Sequence, residues 1–380
     1  MISRFLVTTA LEKTWPETPN TPVLFLGEWC RIYSRKERWA MMNSEVLAYH
    51  WDDRHKLHYD YQYLSDIYES TLRVLRRKIN KIHSTDHSLR YWRILIGPWL
   101  GYFIQMVFDR WVMLNHAFEK HDISGCRIIE KDDFSFIPKD MHEFNQFFIE
   151  DKWNEVIYSQ LLQKNLQDNI KIELVRKNTD QPQPSNQTNR TFKSLTSRFK
   201  RFVIKTYMEY KHWFYNSNEY YFCATYLPLS VEKKLLARLG QKPKSWELVS
   251  VLMADVDIKM RDWLVDGNGT LDKYSTIING MIPKHMPTAY LEGYQALLDC
   301  IQNLNWPKRP KCIFTSSSYS ADDIFKGWTA EKVENGGASL VIGQHGGHFG
   351  MTPWSFDEDH QISISDKWIS WGWSDVEKPN

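Results

Sequence analysis

The stretch Ser339-Leu-Val-Ile-Gly-Gln-His-Gly-Gly-His-Phe-Gly350 decides how this chain is read. Its apolar run breaks directly into Gln344, His345 and His348, set among four glycines. Continuous apolar runs mark strands buried on both faces of a parallel sheet. In open α/β sheets, ligands bind just beyond the carboxyl ends of such strands. The loop carrying Gln344, His345, Gly346, Gly347 and His348 is therefore a candidate site, and the fold class is α/β.

The pattern extends to both sides. Cys312 to Ser316 and Lys367 to Trp371 read as further strands, with a helical segment from Asp322 to about Val333 between them. At the other end of the chain Phe5 to Thr9, Val23 to Leu26 and Glu45 to Tyr49 are short strand-like runs. The economical arrangement puts the first and last strands in one parallel, helix-covered sheet. On that reading residues 1–60 and 311–380 are two parts of one sheet domain, and 61–175 form a large helical insertion. Residues 176–193 form a linker and 194–310 a second helical region.

The middle supports helices. From Tyr59 to His83 apolar residues recur at three- and four-residue spacing, Leu64, Ile67, Tyr68, Leu72, Leu75, Ile79 and Ile82 among them. Ile94 to Phe108 is the longest uncharged stretch; it holds Gly97, Pro98 and Gly101 and is too short to span a bilayer, so it reads as a buried helix with a broken start. Residues 176–193 are rich in Gln, Asn, Thr and Pro and bury too little to offset their ordering entropy. Residues 197–215 set aromatics on one stripe beside arginines and lysines, a basic amphipathic helix that either covers a core or lies on anionic lipid.

Composition narrows the function classes. With 48 Lys and Arg against 46 Asp and Glu, the net charge of +2 gives no argument for nucleic acid. Five scattered cysteines fit neither a disulfide framework nor a zinc-ligand spacing, which points to a reducing cytoplasm. No signal peptide is expected ahead of the strand-like run that starts at Arg4. The glycine pattern matches neither the dinucleotide fingerprint nor the P-loop. No cofactor and no metal are expected, since the spacing of His345, His348, Asp357, Asp359 and His360 is unspecific.

Four polar clusters follow strand-like runs: Thr8 to Glu12, Gly27 to Trp29, His50 to Arg54 and Gly343 to Gly347. In a single parallel sheet they would converge on one edge. There a carboxylate could take a proton from an attacking hydroxyl, and glycine backbone amides could approach a charged oxygen. Glu28 is the candidate base, against a salt-bridge or capping role; Glu12 or Asp53 could hold that role instead. Asp52 and Asp53 precede a helix, where Asp most often caps. His345 is a candidate substrate-facing donor. Arg90 and Arg93 lead into an apolar helix, either as an internal ion-pair network or as an anion clamp.

Six strings spread from end to end carry a family resemblance: FLVTTALEKTWP (Phe5 to Pro16), VLFLGEWC (Val23 to Cys30), YHWDDR (Tyr49 to Arg54), HSLRYWRILIGPWLGYFIQ (His87 to Gln105), IGQHGGHFG (Ile342 to Gly350) and SDKWISWGW (Ser365 to Trp373). With them the chain resembles transferases encoded in bacterial O-antigen and capsule clusters, which look like GT-B glycosyltransferases and often accompany genes for nonulosonic acids such as pseudaminic acid. The resemblance implies a CMP-sugar donor, a glycan or lipid-linked oligosaccharide acceptor, and a cytoplasmic enzyme peripheral to the inner membrane. Gly27-Glu28 also resembles the context of the catalytic glutamate in Kdo transferases, which carries the base role to Glu28 alone. In GT-B enzymes a Gln-His-Gly loop and a final Trp-Gly strand close the acceptor-side domain. The resemblance therefore implies a Rossmann-type acceptor domain whose donor-binding partner domain is absent or truncated. A non-catalytic acceptor-binding or assembly subunit is the rival reading, and a hydrolase using His345 with Asp52 or Asp53 is a third.

Overall fold

The computed structural model describes residues 2–18, 20–129, 134, 136–165, 171–175, 220–241, 249–252, 254–265, 272–346 and 349–374. The expected linker at 176–193, the basic helix at 197–215, and the candidate residues Gly347 and His348 lie outside the described residues.

Two parallel sheets form, where the sequence pattern suggested one. The first has five strands in the order β3-β2-β1-β4-β5: β1 Arg4–Val7, β2 Val23–Phe25, β3 Ser44–Val46, β4 Ile123–Ile129 and β5 Lys171–Val175. The second has four in the order β6-β7-β8-β9: β6 Tyr220–Cys223, β7 Cys312–Thr315, β8 Ser339–Gly343 and β9 Lys367–Ile369. All neighbouring strands are parallel. The fold is thus α/β, but the first and last strands do not share a sheet. Residues 61–175 are not an insertion either, because β4 and β5 lie in that span and complete the first sheet. β4 reads ISGCRII, whose Ser124, Gly125 and Arg127 interrupt the apolar run and hide it among helical patterns.

The apolar runs form these strands because both sheet faces are covered. Val23, Leu24 and Phe25 of β2 are all fully buried, as are Leu6 and Val7 of β1. Seven helices matter for the site: α1 Arg54–His83, α2 Leu89–Lys120, α3 Asp151–Asn165, α4 Leu229–Arg238, α5 Lys273–His285, α6 Asp323–Gly336 and α7 Phe356–Ile364. α1 begins at its N-cap Asp53, whose carboxylate accepts from His55 N and Lys56 N. α2 begins at Ser88, whose hydroxyl accepts from Tyr91 N, and runs unbroken through Pro98.

α2 is the spine. It packs on α1 and α3 beside the first sheet and on α6 and α7 beside the second. Its glycines explain the closeness of the second contact. A Cβ at Gly101 would sit 1.9 Å from Phe356 Cζ of α7, and one at Gly97 would sit 2.8 Å from His360 Cε1. These glycines admit rings against the helix backbone rather than breaking it, which corrects the expected broken start. Trp92, Trp99, Phe103 and Ile104 are fully buried along its length, and each side chain of this size contributes about 1.5–3 kcal/mol on burial.

Candidate functional site

The four polar clusters divide between the two sheets. Thr8 to Glu12, Glu28 and His50 to Asp53 follow β1, β2 and β3, whereas Gln344 to Gly346 follow β8. The expected convergence on one sheet edge is replaced by two edges. Both open toward the same end of the molecule. α1 starts at the carboxyl edge of the first sheet and α7 at that of the second; near their starts His58 packs by Trp354 at 6.0 Å and the Tyr61 hydroxyl donates to Asp359.

At the first edge, the crevice between the ends of β1 and β4 is plugged from within. In this strand order that crevice is the switch point where ligands ordinarily bind. Here the fully buried Glu155 of α3 fills it, accepting from Thr9 Oγ1 at 3.2 Å, Ile129 N at 3.1 Å and Ser159 Oγ at 3.4 Å. His50 is buried too, with Nε2 3.0 Å from Asp109 of α2. Around this core the candidate carboxylates sit on the surface. Glu28 is 71% exposed and accepts from Arg31 at 2.6 Å, Glu12 faces Arg38 at 3.4 Å, and Asp52 is exposed. Asp53 is exposed as well, and the amides of Lys56 and His55 hold its carboxyl below the usual range.

The arginines are engaged. Arg90 donates to Ile364 O at 2.8 Å and to Asp366 at 2.8 Å, tying α2 to β9. Arg93 makes a two-pronged contact with Glu69 of α1, one arm at 2.8 Å. That pairing holds the Glu69 carboxyl below its ordinary value. The geometry is that of an ion-pair network joining elements.

The second edge holds an open cleft of about 360 Å³, lined by Thr225, Tyr226, Leu227, Gln344, His345, Gly346 and Trp371. This lies at the lower end of the range for small-molecule sites. Its floor is the turn after β8, and Gln344 builds that turn. Gln344 N donates to Ile369 O, its side-chain nitrogen donates to Phe349 O at 3.1 Å, and Oε1 accepts from Trp371 N and Trp373 Nε1. Gln344 therefore shapes the loop with both ends of its amide. His345 is half-buried, its ring 5.6 Å from Tyr226 and 5.1 Å from Phe349. Gly346 is exposed on the rim, with open space where a side chain would stand.

One wall comes from the turn after β6, the other from the end of β9. Sequence reasoning missed Thr225, Tyr226 and the role of Ser316, which braces their turn. The string TYLPLS after an aromatic strand was the available signal. Trp371 carried no functional signal in the sequence. Among the described residues no group of three or more His, Cys, Asp or Glu side chains could hold a metal ion, and no helix is long and apolar enough to cross a membrane.

Parallel sheets with a polar cleft at strand ends define an α/β protein whose strand-end cleft is the candidate ligand site. The model of the LIC12162 family transferase matches residues 4–380, and the chain belongs to that family. By that membership it is a transferase. Neither the curated proteins nor the solved structures contain a match.

Proposed function

We propose that this transferase is a glycosyltransferase of bacterial capsule or O-antigen synthesis, moving a nonulosonic acid of the pseudaminic type from a CMP-activated donor to a hydroxyl of a glycan acceptor. The observation that carries the reading is the cleft at the carboxyl edge of the second sheet, where an imidazole and exposed aromatic rings surround a backbone-dense turn. His345 there can donate to a departing phosphate or a sugar oxygen, and the exposed Gly346 leaves open space beside it. Glu28, on the first edge and toward the same end, is the candidate base for the acceptor hydroxyl. Attachment to the inner face of the inner membrane would bring the enzyme to a lipid-linked acceptor. The rival reading, a non-catalytic acceptor-binding or assembly subunit, rests on a missing donor half, and donor turnover by this chain alone separates the two.

The test is transfer from several CMP-nonulosonates to lipid-linked repeat units, followed by mass spectrometry, with the intact chain and its Glu28→Gln and His345→Ala variants. Sugar-bearing product from the intact chain, lost in both variants, is the expected result. No product with any donor, from protein shown to be folded, would sink the proposal.

A further inference from the structure

Two large aromatic side chains on the cleft remain in water. Tyr226 is 71% exposed and Trp371 68% exposed, and they stand on opposite strand ends, after β6 and after β9. Single exposed aromatics are ordinary on a protein surface. Here both line one cavity, and the Trp371 indole has no ring partner among the described residues.

Tyr226 is also held there at a cost. Its φ is +55°, and two residues earlier Ala224 has φ +46°. Left-handed backbone at residues with side chains costs on the order of 1 kcal/mol or more each, and persists only where surroundings over-determine it. The surroundings do so. Thr225 Oγ1 donates to Glu232 at 2.6 Å and accepts from Leu227 N at 3.2 Å, while Ser316 N binds Ala224 O and Ser316 Oγ binds Thr225 O, each at 3.1 Å. Opposite, Gln344 Oε1 pins the Trp371 amide at 2.8 Å. Both rings are thus carried by fixed backbone; the Tyr226 ring leans on His345 at 5.6 Å and keeps most of its surface in water, as does the Trp371 indole.

We propose that Tyr226 and Trp371 are the jaws of a nucleobase clamp, with the base of a nucleotide entering between them above the turn of Gln344 to Gly346. A base is flat and has two π-faces, so it can use both rings at once. A pyranose is puckered and stacks best through a single face. This deepens the glycosyltransferase reading and rests on it for the identity of the donor, but the clamp itself is tested without any transfer.

The experiment is titration calorimetry of the intact chain with CMP, with UMP and AMP in parallel, and with a free sugar, N-acetylglucosamine, as the non-planar control. Both residues are exposed, so Tyr226→Ala and Trp371→Ala should fold. Stacking on one aromatic ring is worth about five- to a hundredfold in affinity, so each variant should lose that much and Trp371→Phe should recover most of it. Equal binding of all three nucleotides supports the clamp, since stacking needs only a π-face. Absence of nucleotide binding, binding of the free sugar alone, or unchanged affinity in both alanine variants would overturn it. Nucleotide binding without sugar transfer would leave the clamp standing and remove the glycosyltransferase reading; transfer indifferent to both jaws would do the reverse.

Discussion

The amide oxygen of Gln344 and the indole of Trp373 are joined at 3.1 Å, and the same oxygen takes the Trp371 amide at 2.8 Å. One side chain therefore sets the distance between the floor of the cleft and one of its walls. Gln344→Leu keeps the volume and removes all three side-chain hydrogen bonds. We expect a loss of about 1–3 kcal/mol in urea unfolding. Ligand affinity should fall further than stability predicts, because the wall loses its anchor.

Glu28 offers the opposite case. It is exposed, and its pairing with Arg31 is the kind of surface contact that contributes little. Glu28→Gln should change unfolding stability by less than about 0.5 kcal/mol. Its transfer rate should fall by about 10²- to 10⁴-fold if the carboxylate takes the acceptor proton. Retained transfer would move the base to another carboxylate.

A buried charge pair outside the cleft should dominate stability. Arg261 is fully buried and binds Glu292 through two nitrogens at 2.6 Å, with its remaining nitrogen on Pro283 O and Met286 O. Glu292→Ala would leave that guanidinium uncompensated, at a cost of about 3–5 kcal/mol. Thermal unfolding of the variant should show a large fall in Tm; a shift within error would mean that water reaches the cation.

His360 on α7 gives a pH dependence of defined sign. Burial against α2, with the charges of Lys326 and Arg93 adding to it, pushes its imidazole down to about 3. Its unfolded-state value lies near 6.5, so between those limits the unfolded chain binds a proton that the folded chain refuses. Stability contributed here is present above about pH 6.5 and is lost as pH falls toward 3. At pH 5.5 the loss amounts to about 1 kcal/mol. His360→Phe should flatten that part of a stability–pH curve; an unchanged slope would show that another group titrates.

How much of this was legible in the sequence follows from where each signal came from. β8 was read to the residue, because Leu340 to Ile342 are apolar on both faces of a covered strand and Gly343 ends them. The capping role of Asp53 was legible for a similarly local reason. The split into two sheets was not legible, since strand partners are chosen by contacts distant in sequence, and a strand such as β4, interrupted by Ser124, Gly125 and Arg127, carries too weak a pattern to announce its neighbours. The floor of the cleft, Gln344 to Gly346, stood out as a polar break after an apolar run. Its walls did not: Tyr226 and Trp371 look like any aromatic residue until tertiary structure leaves them uncovered. The arginines show the limit from the other side, because Arg90 and Arg93 reveal their partners only once β9 and α1 are folded against α2.

The placement of α2 bears on how the molecule can move. One helix is bonded to the first sheet's elements through Asp109 with His50 and Arg110 with Asn154, and to the second's through Arg90 with Asp366. Enzymes made of two sheet domains commonly admit substrate by swinging the domains apart on a hinge. Here such a swing would tear one continuous rod out of the single hydrophobic core that it shares with both sheets. The two sheet edges are therefore braced against one shared beam, so a change at either edge is carried to the other through the same helix.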